Sequence, residues 1–302
     1  MNNNRGISRA PAVAAALFAA LALAALLPLR LWQQLHLVED ITGFWAGGGV
    51  TVPLLYVGLG VLAAVPAAAA FALRKRAALD LTRRRRVIEG VTAALAAAAL
   101  AVDAVTALRF ALGLISGAGG GAFFDGMEAK SSPAVYYIRS GAMACVLEGV
   151  FGMFGAAVLG QLAAADFLPR KKIYLGRALA LAPFVWAVCR ILRRFSRTIA
   201  YLRVSDLFLS LAMLTALMLF LLAFAQCVSG RYGGGKAAAL LGAGVPAAVL
   251  ALVCFVPRAA AYGLLGNMGG AAPADALIEW CDPAMAAFAL AFIAGRLFVE
   301  ET

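Results

Sequence analysis

Apolar residues run along this chain in long blocks, and polar residues gather between the blocks rather than alternating within them. A hydrocarbon core of about 30 Å needs about 20 apolar residues per crossing. On that measure the blocks predict eight transmembrane helices, at 10–29, 50–73, 87–115, 141–165, 173–192, 206–228, 237–256 and 282–299. The first block follows Arg5 and Arg9 and has no polar cleavage region, so it reads as a retained span and not as a signal peptide.

The punctuation between blocks supports these boundaries. Residues 116–132, SGAGGGAFFDGMEAKSS, form a Gly- and Ser-rich loop, with helix resuming near Pro133. DFLPRKK at 166–172 and SGRYGGGK at 229–236 read as turns, and Pro183 interrupts the fifth block. Ser205 is a candidate N-cap for the sixth helix. Asp282-Pro283 is a start signal for the last, with a short helix over 275–281 before it. VEDITGFWAGGGV at 38–50 reads as an outer turn between the first two spans. There Asp40 and Thr42 bond the local backbone, Gly43 supplies a positive φ, and Trp32 and Trp45 anchor at the interface. A competing reading makes Glu39 and Asp40 an acidic pair at the mouth of the bundle.

Composition turns this pattern into a class. The chain is 64% hydrophobic and 14% charged, with a mean hydropathy of +0.91. Soluble chains are about half apolar and about a quarter charged, and a soluble protein of 302 residues could not hide so much apolar surface. The expectation is one integral membrane domain over 1–302, an all-α polytopic bundle held in a lipid bilayer.

The net charge of +11 then concerns topology before nucleic acid, because Lys and Arg are retained on the cytoplasmic side. Eight spans place both termini in the cytoplasm, with 16 basic residues inside and 10 outside. Treating 173–203 as an interfacial segment leaves seven spans, moves the C-terminus outside and changes the count to 19 and 7. Eight is preferred, because 173–192 is long and apolar enough to insert.

Few residues carry candidate chemistry. Asp103 lies deep in the third span, where an ionised carboxylate costs at least about 2.5–3.5 kcal/mol. Glu148 enters the fourth span to a similar depth, and Thr106 and Arg109 follow Asp103 on its helix. A cluster of Asp103, Glu148, Thr106 and Arg109 reads either as a cation or proton site of a transporter, or as a polar clasp between two helices. Arg190, Arg193, Arg194 and Arg197 repeat at i, i+3, i+4 and i+7. They predict one cationic helix face for anionic lipid headgroups. A voltage-sensing helix is a weaker fit, since Ala200 breaks the three-residue rhythm.

Other chemistry finds little support. Cys145, Cys189, Cys227, Cys254 and Cys281 are scattered and odd in number, and His36 is the only histidine, so no disulfide framework, metal site or cofactor is implied. GRYGGGKA at 230–237 approaches the phosphate-loop pattern but ends in Ala237, which has no hydroxyl for magnesium. LTRRRR at 81–86 is read as a topology signal, with no nucleic-acid partner. No catalytic motif is present, and a non-enzymatic role is expected.

DITGFW after the first span, and PFVWAVCRIL followed by a Ser-Asp helix start, resemble multi-pass proteins of Gram-positive anaerobic bacteria that have no assigned activity. The resemblance is confined to these short stretches. It implies a bacterial membrane setting and assigns no residue a role. The expectation is a non-enzymatic membrane component (scaffold, accessory subunit or sensor) in the cell membrane, N-terminus cytoplasmic, with a membrane-protein partner or a second copy. The alternative is a solute or ion-coupled transporter using the intramembrane carboxylates.

Overall fold

The structure, a computed structural model, describes residues 7–37, 45, 49–79, 86–115, 141–168, 176–196, 204–229, 234–265 and 279–300. Its helices are α1 Ala10–His36, α2 Thr51–Leu73, α3 Val87–Ile115, α4 Ala142–Phe167, α5 Arg177–Ala180, α6 Ala182–Ser196, α7 Val204–Val228, α8 Gly234–Leu265 and α9 Cys281–Arg296. Three short strands, β1 Ile7–Ser8, β2 Ala77–Leu79 and β3 Leu297–Glu300, form an antiparallel sheet in the order β1-β3-β2.

This sheet fixes the topology. β1 precedes α1, β2 follows α2 and β3 follows α9, so these three points of the chain meet at one end of the bundle. From this sheet end the chain runs to the far end and back four times, with α5 and α6 together making one pass. The number of passes is even, and β1 and β3 meet at the same end of the bundle.

Among the described residues six helices are long and apolar enough to cross a membrane, α1, α2, α3, α4, α7 and α8; α5, α6 and α9, where the fifth and eighth spans were expected, are not among them. They define an all-α, multi-pass integral membrane protein. The apolar window of α8 is 67% buried, while those of α1 and α2 are 17% buried. α8 packs on α1, α2, α7 and α9 and forms the middle of the bundle, while α1 and α2 present Leu17, Leu21, Val57 and Phe71 outward. In a bilayer those exposed faces meet lipid at no hydrophobic cost.

α3 and α4 form the most extensive helix pair, and the sequence explains how they approach. Gly149 and Gly152 face Leu108 and Ala104 of α3; a Cβ on Gly152 would lie 2.8 Å from the Ala104 methyl carbon. Small residues let helix backbones close in lipid, where the hydrophobic effect between helices is absent. Between α7 and α9, Phe220, Phe224, Phe288 and Phe292 pack edge to face, with Phe224 and Phe292 centroids 5.2 Å apart.

Several boundaries differ from the sequence reading. The fifth span is broken into α5 and α6 at Leu181, and α6 runs to Ser196, past the expected end at 192. α1 continues to His36, seven residues beyond its apolar block, because Arg30 does not end it: its side chain is buried and paired. Gln33 also donates to the Thr51 carbonyl at 2.8 Å, joining α1 to the start of α2. α8 starts inside the glycine turn, at Gly234, and continues through Pro246 and Pro257 to Leu265. Trp280, not Asp282, is the cap residue of α9, which frees the Asp282 carboxylate for a tertiary partner. Ser205 lies within α7 instead of preceding it.

Candidate functional site

Charged side chains inside the bundle gather at its two ends. At the sheet end, Arg296 closes α9 and reaches back to two helices. Its Nε donates to Glu89 of α3 and its Nη2 donates to Asp166 Oδ1 of α4 at 2.7 Å. All three side chains are buried. Arg86 joins them: Nη1 donates to the Gly295 carbonyl and lies 3.9 Å from Glu89 Oε2. The guanidinium of Arg296 also stands 5.3 Å from the ring centre of Phe292.

At the far end, α6 turns Arg190, Arg193 and Arg194 inward. Arg190 is fully buried, pairs with Asp282 Oδ1 at 2.8 Å and meets Glu279. Arg193 Nε lies 2.8 Å from Glu148 Oε2, and its Nη2 donates to Glu279 Oε1 at 3.2 Å. Arg194 Nη2 approaches the same Glu279 oxygen at 3.3 Å. Trp186, one turn before Arg190, holds its ring 5.1 Å from the Arg190 guanidinium and donates its indole N–H to Asp103 Oδ2 at 3.2 Å. A third group lies at the same end. Arg30 of α1 donates to Asp206 of α7, and Arg258 of α8 donates to the Asp206 carbonyl and to Ser210 Oγ, both at 2.9 Å. Arg30 lies 5.0 Å from the centre of the Trp45 ring.

The residues expected from the sequence divide accordingly. Asp103 and Glu148 do come near each other, and the charges of Asp103 and Arg190 both bear on Glu148. Their partners differ from the expected ones: Glu148 pairs with Arg193, and Asp103 accepts from Trp186. Arg109 is exposed on α3 and makes no ion pair among the described residues. Thr106 donates to the Asp103 backbone carbonyl at 2.7 Å, within its own helix. Arg190, Arg193 and Arg194 share one helix face as expected, but that face points into the protein, while Leu192 on the other side is 52% exposed. The inversion follows from the solvent: in hydrocarbon the apolar face turns outward and charge turns toward partners. Arg197, Glu39 and Asp40 lie outside the described residues.

Arg30, Asp166, Asp206, Arg258, Glu279, Asp282 and Arg296 were not singled out as a site. Each stands at or near the end of an apolar block, where a charge reads as a boundary. The available signal was their number: many charges within one turn of a membrane helix end, of both signs, is a pattern for pairing. All five cysteines are buried, and no set of three or more His, Cys, Asp or Glu among the described residues could hold a metal ion.

The fold and the charge network define the class: a helical, multi-pass integral membrane protein with its buried ions concentrated at two levels. No family model, curated protein or solved structure matches the chain.

Proposed function

We propose that this protein is a non-enzymatic membrane component, a sensor or accessory subunit, whose helices are latched by buried ion pairs. One observation carries the reading. Glu89, Glu148, Asp166, Asp206 and Asp282 each meet an arginine from a different helix. The pairs tie together α1, α3, α4, α6, α7, α8 and α9, which suits a framework better than an ion path. A carboxylate already held by a guanidinium has little to offer a passing cation.

The setting belongs to the same proposal: a bacterial cytoplasmic membrane, with the sheet end in the cytoplasm. The seven basic residues against one acid in 74–86 favour that side. Reporters fused to both termini are expected to give a cytoplasmic signal; a periplasmic signal from either overturns the orientation.

A solute carrier is the second reading. The break at Leu181, just before the helix whose Trp186 donates to Asp103, is a feature carriers use at their binding sites. The two readings part in a stability screen of purified protein across pH, sodium and potassium, wild type beside Asp103→Asn. The latch reading expects no ion-specific stabilisation of either protein. A saturable, ion-specific rise in Tm that Asp103→Asn abolishes would replace it with the carrier.

A further inference from the structure

The arginine face of α6 points inward, and the cations left to meet the bilayer stand at the sheet end. Arg74 caps the C-terminus of α2, directly after an apolar helix of 23 residues. At 1.5 Å per residue that helix is about 34 Å long, so Arg74 reaches headgroup level. Lys75 and Arg76 follow it in the turn before β2, and all three are exposed. Lys236 lies in the first turn of α8, partly exposed, and no acid shares that turn. Arg74 lies across this turn: its Cγ is 3.5 Å from where a Cβ on Gly235 would stand. The sheet adds a fifth cation. Ser8 of β1 and Ala77 of β2 both pair with Val299 of β3, which sets them two strand spacings apart, about 10 Å. Exposed Arg9 follows Ser8, and Arg76 precedes Ala77.

Among the described residues none of these five cations makes an ion pair. Glu89 and Asp166, the acids nearest this end, are buried and held by Arg296. The segments that flank and join the helices here, 1–9, 74–86, 168–176, 229–236 and 297–302, carry 14 basic residues against three acids. Those at the far end, 37–50, 116–141, 197–203 and 266–280, carry four against six. A topology signal accounts for that difference in number. It does not require cations from α2, α8 and the edge of β1 to share one rim with no carboxylate paired to them. We propose that this rim binds the headgroups of anionic phospholipids, with a lipid phosphate between Arg74 and Lys236 and with Lys75, Arg76 and Arg9 beside it. The surface does not depend on the latch, since the same rim would serve a carrier.

The test uses the purified full chain in detergent. It is titrated with phosphatidylglycerol and with phosphatidylcholine of the same acyl chains, and bound lipid is counted by native mass spectrometry. One basic residue near an anionic surface is worth about fivefold in affinity, so phosphatidylglycerol is expected to bind at least about tenfold tighter. Arg74→Gln with Lys236→Gln should remove most of that preference, and added salt should weaken it. Arg109→Gln, at an exposed arginine toward the far end of α3, should leave it unchanged. If the first pair of substitutions purifies poorly, Lys75→Gln with Arg76→Gln, both on the exposed turn, takes its place, with a severalfold loss of preference expected. Equal binding of the two lipids overturns the proposal. So does a preference that survives these substitutions, or one that falls as far in Arg109→Gln, which would assign it to net charge alone.

Discussion

At the sheet end one arginine, Arg296, serves two carboxylates, Glu89 and Asp166; at the far end one carboxylate, Glu279, serves three arginines. The first arrangement uses the guanidinium fork as a bracket. Two edges of one planar group meet two helices, and a third residue, Arg86, adds charge beside them. The second arrangement centres on one carboxylate, with Asp282 and Glu148 taking up Arg190 and Arg193 as well. The same residue types thus make a joint centred on an arginine at one end and on a carboxylate at the other. A buried ion pair is weak evidence for stability by itself, but removing a partner tells the two ends apart.

The largest effect is expected at the sheet end. Arg296→Leu strands two buried carboxylates from α3 and α4, at a cost of about 3–5 kcal/mol. Thermal unfolding in detergent should show a steep loss of Tm, and a shift within error would mean that Arg86 alone holds the joint. Next comes Glu148→Gln, which removes one of Arg193's two carboxylates but keeps an acceptor of the same shape. About 2 kcal/mol is expected, readable in the same assay. A loss as large as that for Arg296→Leu would erase the contrast between the ends. Asp103→Asn should cost less than about 1 kcal/mol, because an amide oxygen still accepts the Trp186 indole N–H. Tryptophan fluorescence should stay close to wild type, and a large spectral change would mean the charge itself orients the ring. The smallest effect belongs to Arg194→Gln. Its stability should stay within about 0.5 kcal/mol of wild type or rise, since the substitution removes buried donor nitrogens that make no hydrogen bond. A marked loss would show that its ion pair with Glu279 holds the far end together.

Much of the fold was legible because lipid imposes a simple length rule. The third block, 87–115, matches α3 at both ends, and the second differs from α2 by one residue. Where the reading slipped, a charge or a glycine was taken as a stop. Arg30 looked like the end of a span, yet a tertiary partner on α7 lets the helix continue past it. The strands were missed because segments of two to four residues carry no period to detect. β2 is moreover hidden in a basic loop whose charges already had an explanation.

The candidate site was legible in type and not in pairing. Asp103 and Glu148 stood out because a carboxylate inside an apolar block is expensive, and the arginine face stood out because its spacing is helical. Which acid met which arginine was not in the sequence, since Glu148 and Arg193 are 45 positions apart and Glu89 and Arg296 are 207 apart.

The sequence by itself determined the solvent of this protein, the length of its crossings and the types of charge it buries, because those depend on composition and local spacing. Tertiary structure alone decided that the arginine face turns inward, that both described ends of the chain join one sheet, and that Glu279 must answer to three arginines. Those outcomes rest on which helices become neighbours, and an apolar block has the same length and hydropathy whichever neighbour it finds.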